Sequence, residues 1–194
     1  MIKLLDILNE VGEANVKPFN WAKTSGADAK QFKERMGSKN WRDIGYDTVN
    51  TYEFTTDKGT VYVVDIMIES VYNEESYSKF DSGTIEASID FSTKNKAGKA
   101  NMDVTNMHEQ YAVMSTITDI FTTWINEWDE ELYISKVKID PIKESDEDGD
   151  SVDSRRGKLY HAFMKKQLSK LNKQYGVRVF SNYFLIQPKF DNSN

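Results

Sequence analysis

The most constraining feature of the sequence is an unbroken apolar stripe in its middle. Large apolar residues recur there at three- and four-residue steps, which is the spacing of one face of an α-helix. They are Val113, Met114, Ile117, Ile120, Phe121, Trp124, Ile125 and Trp128. A helix with so wide an apolar face must be covered by another layer of structure. The stripe therefore predicts a long helix packed on a sheet, with both tryptophans in the core and an interface as the alternative.

The segments on either side of this helix predict the sheet. Residues 51–56 and 60–68 are rich in β-branched and aromatic side chains and flank Asp57-Lys58-Gly59, so they predict a β-hairpin. Residues 84–91 alternate apolar and polar side chains, and residues 132–139 follow the helix directly. Because a helix joins the last two strands, we expect a mixed, largely antiparallel sheet with at least one parallel pair.

The N-terminal part of the chain predicts two short helices. Apolar residues at helical spacing predict an amphipathic helix at the start, and Ala29, Phe32 and Met36 share one face of a second helix from Asp28 to Met36. The first stripe consists of Met1, Leu4, Leu5, Leu8 and Val11. We therefore divide the chain into an N-terminal helical appendage at 1–48, a single α/β domain at 49–190 and a tail at 191–194.

The C-terminal part of the chain predicts a second long helix and a last strand. Its apolar residues at helical spacing are Leu159, Tyr160, Phe163, Met164, Leu168, Leu171 and Tyr175. Gly176 stands where a helix C-cap glycine is expected, and one strand is predicted at about 177–186. The predicted class is α+β or α/β, with two long helices packed on the mixed sheet.

Composition excludes several kinds of site. The 194 residues include no cysteine and only two histidines, His108 and His161, so disulfides, thiolate zinc sites and cysteine nucleophiles are excluded and no metal site is expected. No apolar run approaches the ~18 residues of a membrane span, so we expect no membrane association and a cytosolic or virion location. Hydrolase, zincin and P-loop motifs are missing, which favours a protein without catalytic activity.

Charge is concentrated in two adjacent C-terminal segments. Residues 144–153 carry six acids and no base, and residues 154–190 carry nine bases and no acid. The acidic segment imitates the start of a calcium-binding EF-hand loop, but Arg155 occupies the position of the last carboxylate ligand. A solvated surface is one interpretation of the bases. The alternative is nucleic-acid binding, with candidate phosphate contacts from Arg155, Arg156, Lys158, Lys165 and Lys166.

The region from Thr51 to Ile186 resembles GNAT acyltransferases in element order: antiparallel strands, helix, strand, helix, strand. In that family a Gln/Arg-x-x-Gly-x-Gly/Ala loop binds the pyrophosphate of acetyl-CoA. Asn95-Lys96-Ala97-Gly98-Lys99-Ala100 is a degenerate form of this loop. The resemblance implies Gly98 and Ala100 beside the cofactor, and Tyr160, in the family-like pair Leu159-Tyr160, as the general acid that protonates the departing thiolate.

Most of the chain also resembles uncharacterised proteins of tailed bacteriophages. The similar segments are the opening Met1 to Glu10, the Tyr-Glu-Phe-Thr-Thr hairpin at 52–56, Val113 to Ile117, and Ser154 to Phe163. The opening is also similar to the capsid-targeting leader of T-even phages, which is cut after a triplet like Leu8-Asn9-Glu10.

These resemblances and the missing catalytic motifs give one leading expectation and two alternatives. We expect a phage-encoded, non-catalytic protein that is virion-associated or binds a phage structural or host protein, without a cofactor; its tyrosines and tryptophans suit protein interfaces. The first alternative is an acetyl-CoA-dependent N-acyltransferase. The second is a nucleic-acid-associated protein that uses the basic C-terminal segment.

Overall fold

The computed structural model describes residues 16–38, 49–72, 84–94, 100–101, 109–139, 175–179 and 183–189. The strands in these ranges are β1 (Trp21–Ser25), β2 (Val49–Thr55), β3 (Val61–Tyr72), β4 (Thr84–Lys94), β5 (Ala100–Asn101), β6 (Tyr133–Ile139), β7 (Tyr175–Val179) and β8 (Phe184–Pro188). The helices are α1 (Ala29–Ser38) and α2 (Gln110–Glu131). The predicted N-terminal helix and residues 159–174 of the second long helix lie outside the described residues.

The strands form one mixed sheet in the order β1-β2-β3-β4-β6-β8-β7, and the short β5 pairs with the end of β4. The pair β4–β6 is parallel, and the other pairs of the described strands are antiparallel. Helix α2 connects the two parallel strands, as a parallel pair requires. The predicted mixed, largely antiparallel sheet is therefore confirmed.

The predicted hairpin is formed by β2 and β3. Thr55 pairs with Val61, and the register continues without a shift to Val49 opposite Met67. In the turn, the Gly59 amide donates to the Thr56 carbonyl at 2.8 Å. Gly59 has a φ of 82°, which a residue with a Cβ adopts only at a cost. The glycine and the β-branched flanks together explain why this hairpin could be predicted locally.

The core lies between the sheet and α2. All eight residues of the apolar stripe on α2 are buried, and Trp124 and Trp128 are 0% exposed. Their rings stack at 5.3 Å, and Phe32 of α1 packs on Trp128 at 5.2 Å. On the sheet side, Ile66, Ile85, Ile89, Ile134 and Phe184 are also 0% exposed. The prediction that the two tryptophans belong to the core is confirmed.

The segment predicted as an N-terminal appendage contributes to the same sheet and core. Helix α1 begins close to the predicted residue, and the Asp28 carboxylate accepts a hydrogen bond from the Gln31 amide at 2.7 Å as an N-cap. Ala29 and Phe32 belong to the main core. Strand β1, which the sequence pattern did not predict, pairs with β2. Residues 21–38 thus contribute a strand to this sheet and a helix to this core.

Two predictions at the C-terminal end are wrong. Tyr175 and Gly176 lie in strand β7 and not at the end of a helix, because they pair with Pro188 and Gln187 of β8. The single strand predicted at 177–186 is two antiparallel strands, with Val179 opposite Phe184. Tyr175 fits a helical step from Leu171 and also the alternation of a strand, so periodicity alone placed it in the wrong element.

Candidate protein-binding groove

An open groove of about 660 Å³ lies where β1 meets β2. One wall is the segment 17–22, and the floor and opposite wall come from β2, the hairpin turn and the start of β3. The lining residues are Lys17, Pro18, Phe19, Asn20, Trp21, Ala22, Glu53, Phe54, Thr55, Asp57 and Val61. Its volume falls in the range of about 300–1,000 Å³ that is typical of ligand pockets in proteins.

Two aromatic residues of the first wall are held by hydrogen bonds to α2. The Trp21 indole Nε1 donates to the Asp119 carboxylate Oδ2 at 2.8 Å, and the Phe19 amide donates to Thr116 Oγ1 at 2.9 Å. The Trp21 ring also meets the Tyr52 ring edge-on at 5.6 Å. Both Phe19 and Trp21 remain half-buried. The groove therefore has aromatic side chains that are already fixed in position.

The groove residue Phe19 belongs to a stack of three aromatic rings that continues into the core. Phe19 stacks on Phe54 at 6.0 Å, and Phe54 stacks on Tyr62 at 4.9 Å with nearly parallel rings. Phe54 and Tyr62 are each 3% exposed. Because Phe54 and Tyr62 belong to the close-packed core, Phe19 packs on rings that are themselves fixed in position.

Strand β1 is one end of the sheet among the described residues. Its pairing with β2 shifts between Lys23 and Ser25, which marks an irregularity in the edge strand. The Lys23 ammonium folds back and donates to the Ala27 carbonyl at 2.8 Å. Irregular edges and edge lysines are common means of protecting a sheet from indiscriminate pairing. The edge of β1 is therefore irregular and partly occupied by contacts within the chain.

The charges around the groove are mixed. Lys17, Asp57 and Glu53 all belong to its lining; Lys17 and Asp57 are exposed, while Glu53 forms a salt bridge with Lys94 of β4. A charge that already has a partner is a weak site for a highly charged ligand. The groove is better suited to a segment that combines an apolar side chain with polar neighbours.

The parallel strands β4 and β6 are paired continuously from Thr84 to Ile89 of β4. The register runs from Thr84 opposite Tyr133 to Ile89 opposite Ile139, with one shift between Ile85 and Glu86. The Ser135 hydroxyl donates to the Ile85 carbonyl at 3.1 Å, and Lys136 forms a salt bridge with Glu86 at 2.7 Å. These cross-strand contacts hold the two strands together.

A small apolar cavity of about 20 Å³ lies between α2 and the carboxyl ends of this parallel pair. It is lined by Ile89, Phe91, Met114, Ile117, Thr118, Phe121 and Ile139. The hydroxyl of Thr118, the polar side chain in this lining, donates to the Met114 carbonyl. The cavity therefore resembles a packing defect of the core and not a binding site.

Of the predicted site residues, Ala100 alone lies within the described ranges. Ala100 lies in β5 and pairs with Lys94 at the end of β4. Gly98, Tyr160 and the basic residues Arg155, Arg156, Lys158, Lys165 and Lys166 lie outside the described residues, as do the acidic segment 144–153 and the leader-like triplet 8–10. Their predicted roles stay predictions.

Two of the described tyrosines, Tyr52 and Tyr175, have raised pKa values; neither lines the groove, although the Tyr52 ring contacts Trp21. Burial, followed by the nearby Glu127 carboxylate, raises the pKa of Tyr52. Burial, followed by the nearby Asp129 carboxylate, raises the pKa of Tyr175. Both side chains are therefore neutral at physiological pH, and they act as parts of the core.

Sequence reasoning missed the groove residues Phe19 and Trp21. The available signal was the alternation of Phe19, Trp21 and Lys23 directly after Pro18, which is typical of an edge strand. Nothing local indicated that these residues would meet β2, more than 30 positions later in the chain.

No family model, curated protein or solved structure matches this chain. Of the two helices in the described ranges, neither has the length and hydrophobicity to cross a membrane. Within the same described ranges, no group of three or more aspartate or glutamate side chains is placed to hold a metal ion.

Proposed function

We propose that this chain is a phage-encoded, non-catalytic protein that binds a partner protein, either as a virion component or as an accessory factor. The observation that carries the proposal is the groove beside β1, with Phe19 and Trp21 fixed at its wall. The phage origin is supported by the sequence resemblance described above. The partner is a phage structural protein or a host protein that inserts a mixed apolar and polar segment.

The physical support is preorganisation of the aromatic wall. Binding normally costs the ordering of side chains at an interface, about 0.5–1.5 kcal/mol for each flexible side chain. Trp21 has lost this freedom before any partner arrives, because Asp119 and Tyr52 hold its ring. Half-buried aromatic residues in well-packed surroundings are the typical anchors of protein interfaces.

The closed parallel pair supports the non-catalytic part of the proposal. In GNAT enzymes two neighbouring parallel strands splay to admit the pantetheine arm of the cofactor. Here, within the described residues, β4 and β6 stay paired to Ile89 and Ile139.

Site-specific photo-cross-linking in infected cells tests the proposal. The photoreactive residue benzoylphenylalanine replaces the groove residue Asn20 or Ala22, and in the control it replaces Thr123, an exposed residue of α2 outside the groove lining. We expect the same discrete cross-linked product from both groove positions and not from Thr123. Absence of a product from the groove positions, or the same products from all three, would refute a partner site in the groove.

Purified particles then separate the two forms of the proposal. A virion component copurifies with particles through a density gradient at a constant ratio to the major capsid protein. An accessory factor gives the groove cross-link in cells but is missing from the particles.

An acetyl-CoA-dependent N-acyltransferase is the second candidate function. The element order supports it, because antiparallel strands are followed by α2, which connects the parallel strands β4 and β6. In that case Gly98 and Ala100 lie beside the pyrophosphate and Tyr160 acts as the general acid.

A thermal-shift titration with acetyl-CoA and with CoA tests this candidate. A ligand present at 100 times its Kd stabilises the folded state by about 2.7 kcal/mol, which raises Tm by about 5 °C or more for a chain of this size. Such a shift, together with loss of acyl transfer in Tyr160→Phe, would favour the enzyme over the binding protein. An unchanged Tm at millimolar cofactor would exclude it.

A further inference from the structure

We draw no further inference here: the strongest candidate, the aspartate pair Asp65 and Asp90 that face each other across the central strands β3 and β4, is an acidic cluster at which no second observation in the described structure points to a ligand.

Discussion

The indole of Trp21 is hydrogen-bonded to Asp119 of α2, so we predict that removing this bond lowers the free energy of unfolding of the domain. Trp21→Phe removes the indole donor, which lies 2.8 Å from the Asp119 carboxylate, and keeps an aromatic ring beside Tyr52. A hydrogen bond to a charged group contributes about 1.5–3 kcal/mol. We expect about 1.5 kcal/mol, the low end, because both side chains are half-buried and water can solvate the carboxylate once the indole is gone.

A double-mutant cycle measures this interaction directly. The variants are Trp21→Phe, Asp119→Ala and the double variant, with Glu130→Ala as a control because Glu130 is an exposed acid of the same helix. Equilibrium unfolding in urea is followed by far-UV circular dichroism, since removal of a tryptophan changes the fluorescence signal. We expect the free energy of unfolding of Trp21→Phe to fall by about 1.5 kcal/mol and the coupling energy with Asp119 to exceed about 0.5 kcal/mol.

The cycle also contains the result that would contradict this reasoning. Independent sites are additive within about 0.3–0.5 kcal/mol. If the effects of Trp21→Phe and Asp119→Ala on the free energy of unfolding are additive within that error, the hydrogen bond does not hold the groove wall. The groove is then not preorganised by this bond. A decrease in stability for Glu130→Ala as large as that for Asp119→Ala would attribute the effect to helix charge instead.

Three further predictions concern the core and the backbone. Ile89→Ala removes a side chain that is 0% exposed and should destabilise the domain by about 2–5 kcal/mol; a smaller loss in urea unfolding would contradict the packing of α2 on β4. Gly26→Ala should cost far more than Gly59→Ala: both glycines have positive φ, but a Cβ on Gly26 would lie 2.5 Å from the Val49 carbonyl oxygen, whereas a Cβ on Gly59 meets no atom within 4 Å. Equal losses in Tm for the two variants would disprove the close approach at Gly26. Folding keeps Tyr52 and Tyr175 neutral, with pKa values above the ordinary 10.0. The stability they contribute is therefore complete below pH 10 and decreases above it, by about 1.4 kcal/mol per pH unit for each tyrosine. Urea titrations between pH 9 and 11 should show a shallower decrease for Tyr52→Phe, and an unchanged slope would contradict the burial of its hydroxyl.

The elements that sequence reasoning predicted correctly are those whose signal is local. The stripe from Val113 to Trp128 has the period of a helix over four turns, and a single helix explains it. The paired part of the hairpin around Gly59, from Val49 to Met67, lies within 20 residues. Strand β1 has no such signal, because it is five residues long and its partner on β2 lies more than 25 residues away. Its existence depends on tertiary pairing, which local propensity does not encode.

The candidate site was less predictable than the fold, because its residues come from distant segments. Residues 17–22, 53–57 and 61 meet at one corner of the sheet, and none of them forms a motif by itself. The sequence motifs point instead to Gly98, Ala100 and Tyr160, because each of these residues belongs to a short local pattern. A groove for a partner protein requires complementary shape and anchored aromatic rings rather than fixed spacing, so a single sequence does not reveal it.

The contacts of the N-terminal segment show why the groove and α2 should respond to partner binding as one unit. From Val16 to Lys33, this segment follows α2 in the same direction, and most of its contacts are spaced by about one or two helical turns. The paired atoms are Val16 O with Ser115 Oγ, Phe19 N with Thr116 Oγ1, Trp21 Nε1 with Asp119 Oδ2, Ala29 N with Glu127 Oε1, and Lys33 Nζ with Glu131 Oε2. The groove wall therefore cannot move far unless several of these bonds break together. If a partner docks in the groove as proposed, it meets a surface fixed by α2, and its affinity should depend on the fit to that surface more than on rearrangement of the protein.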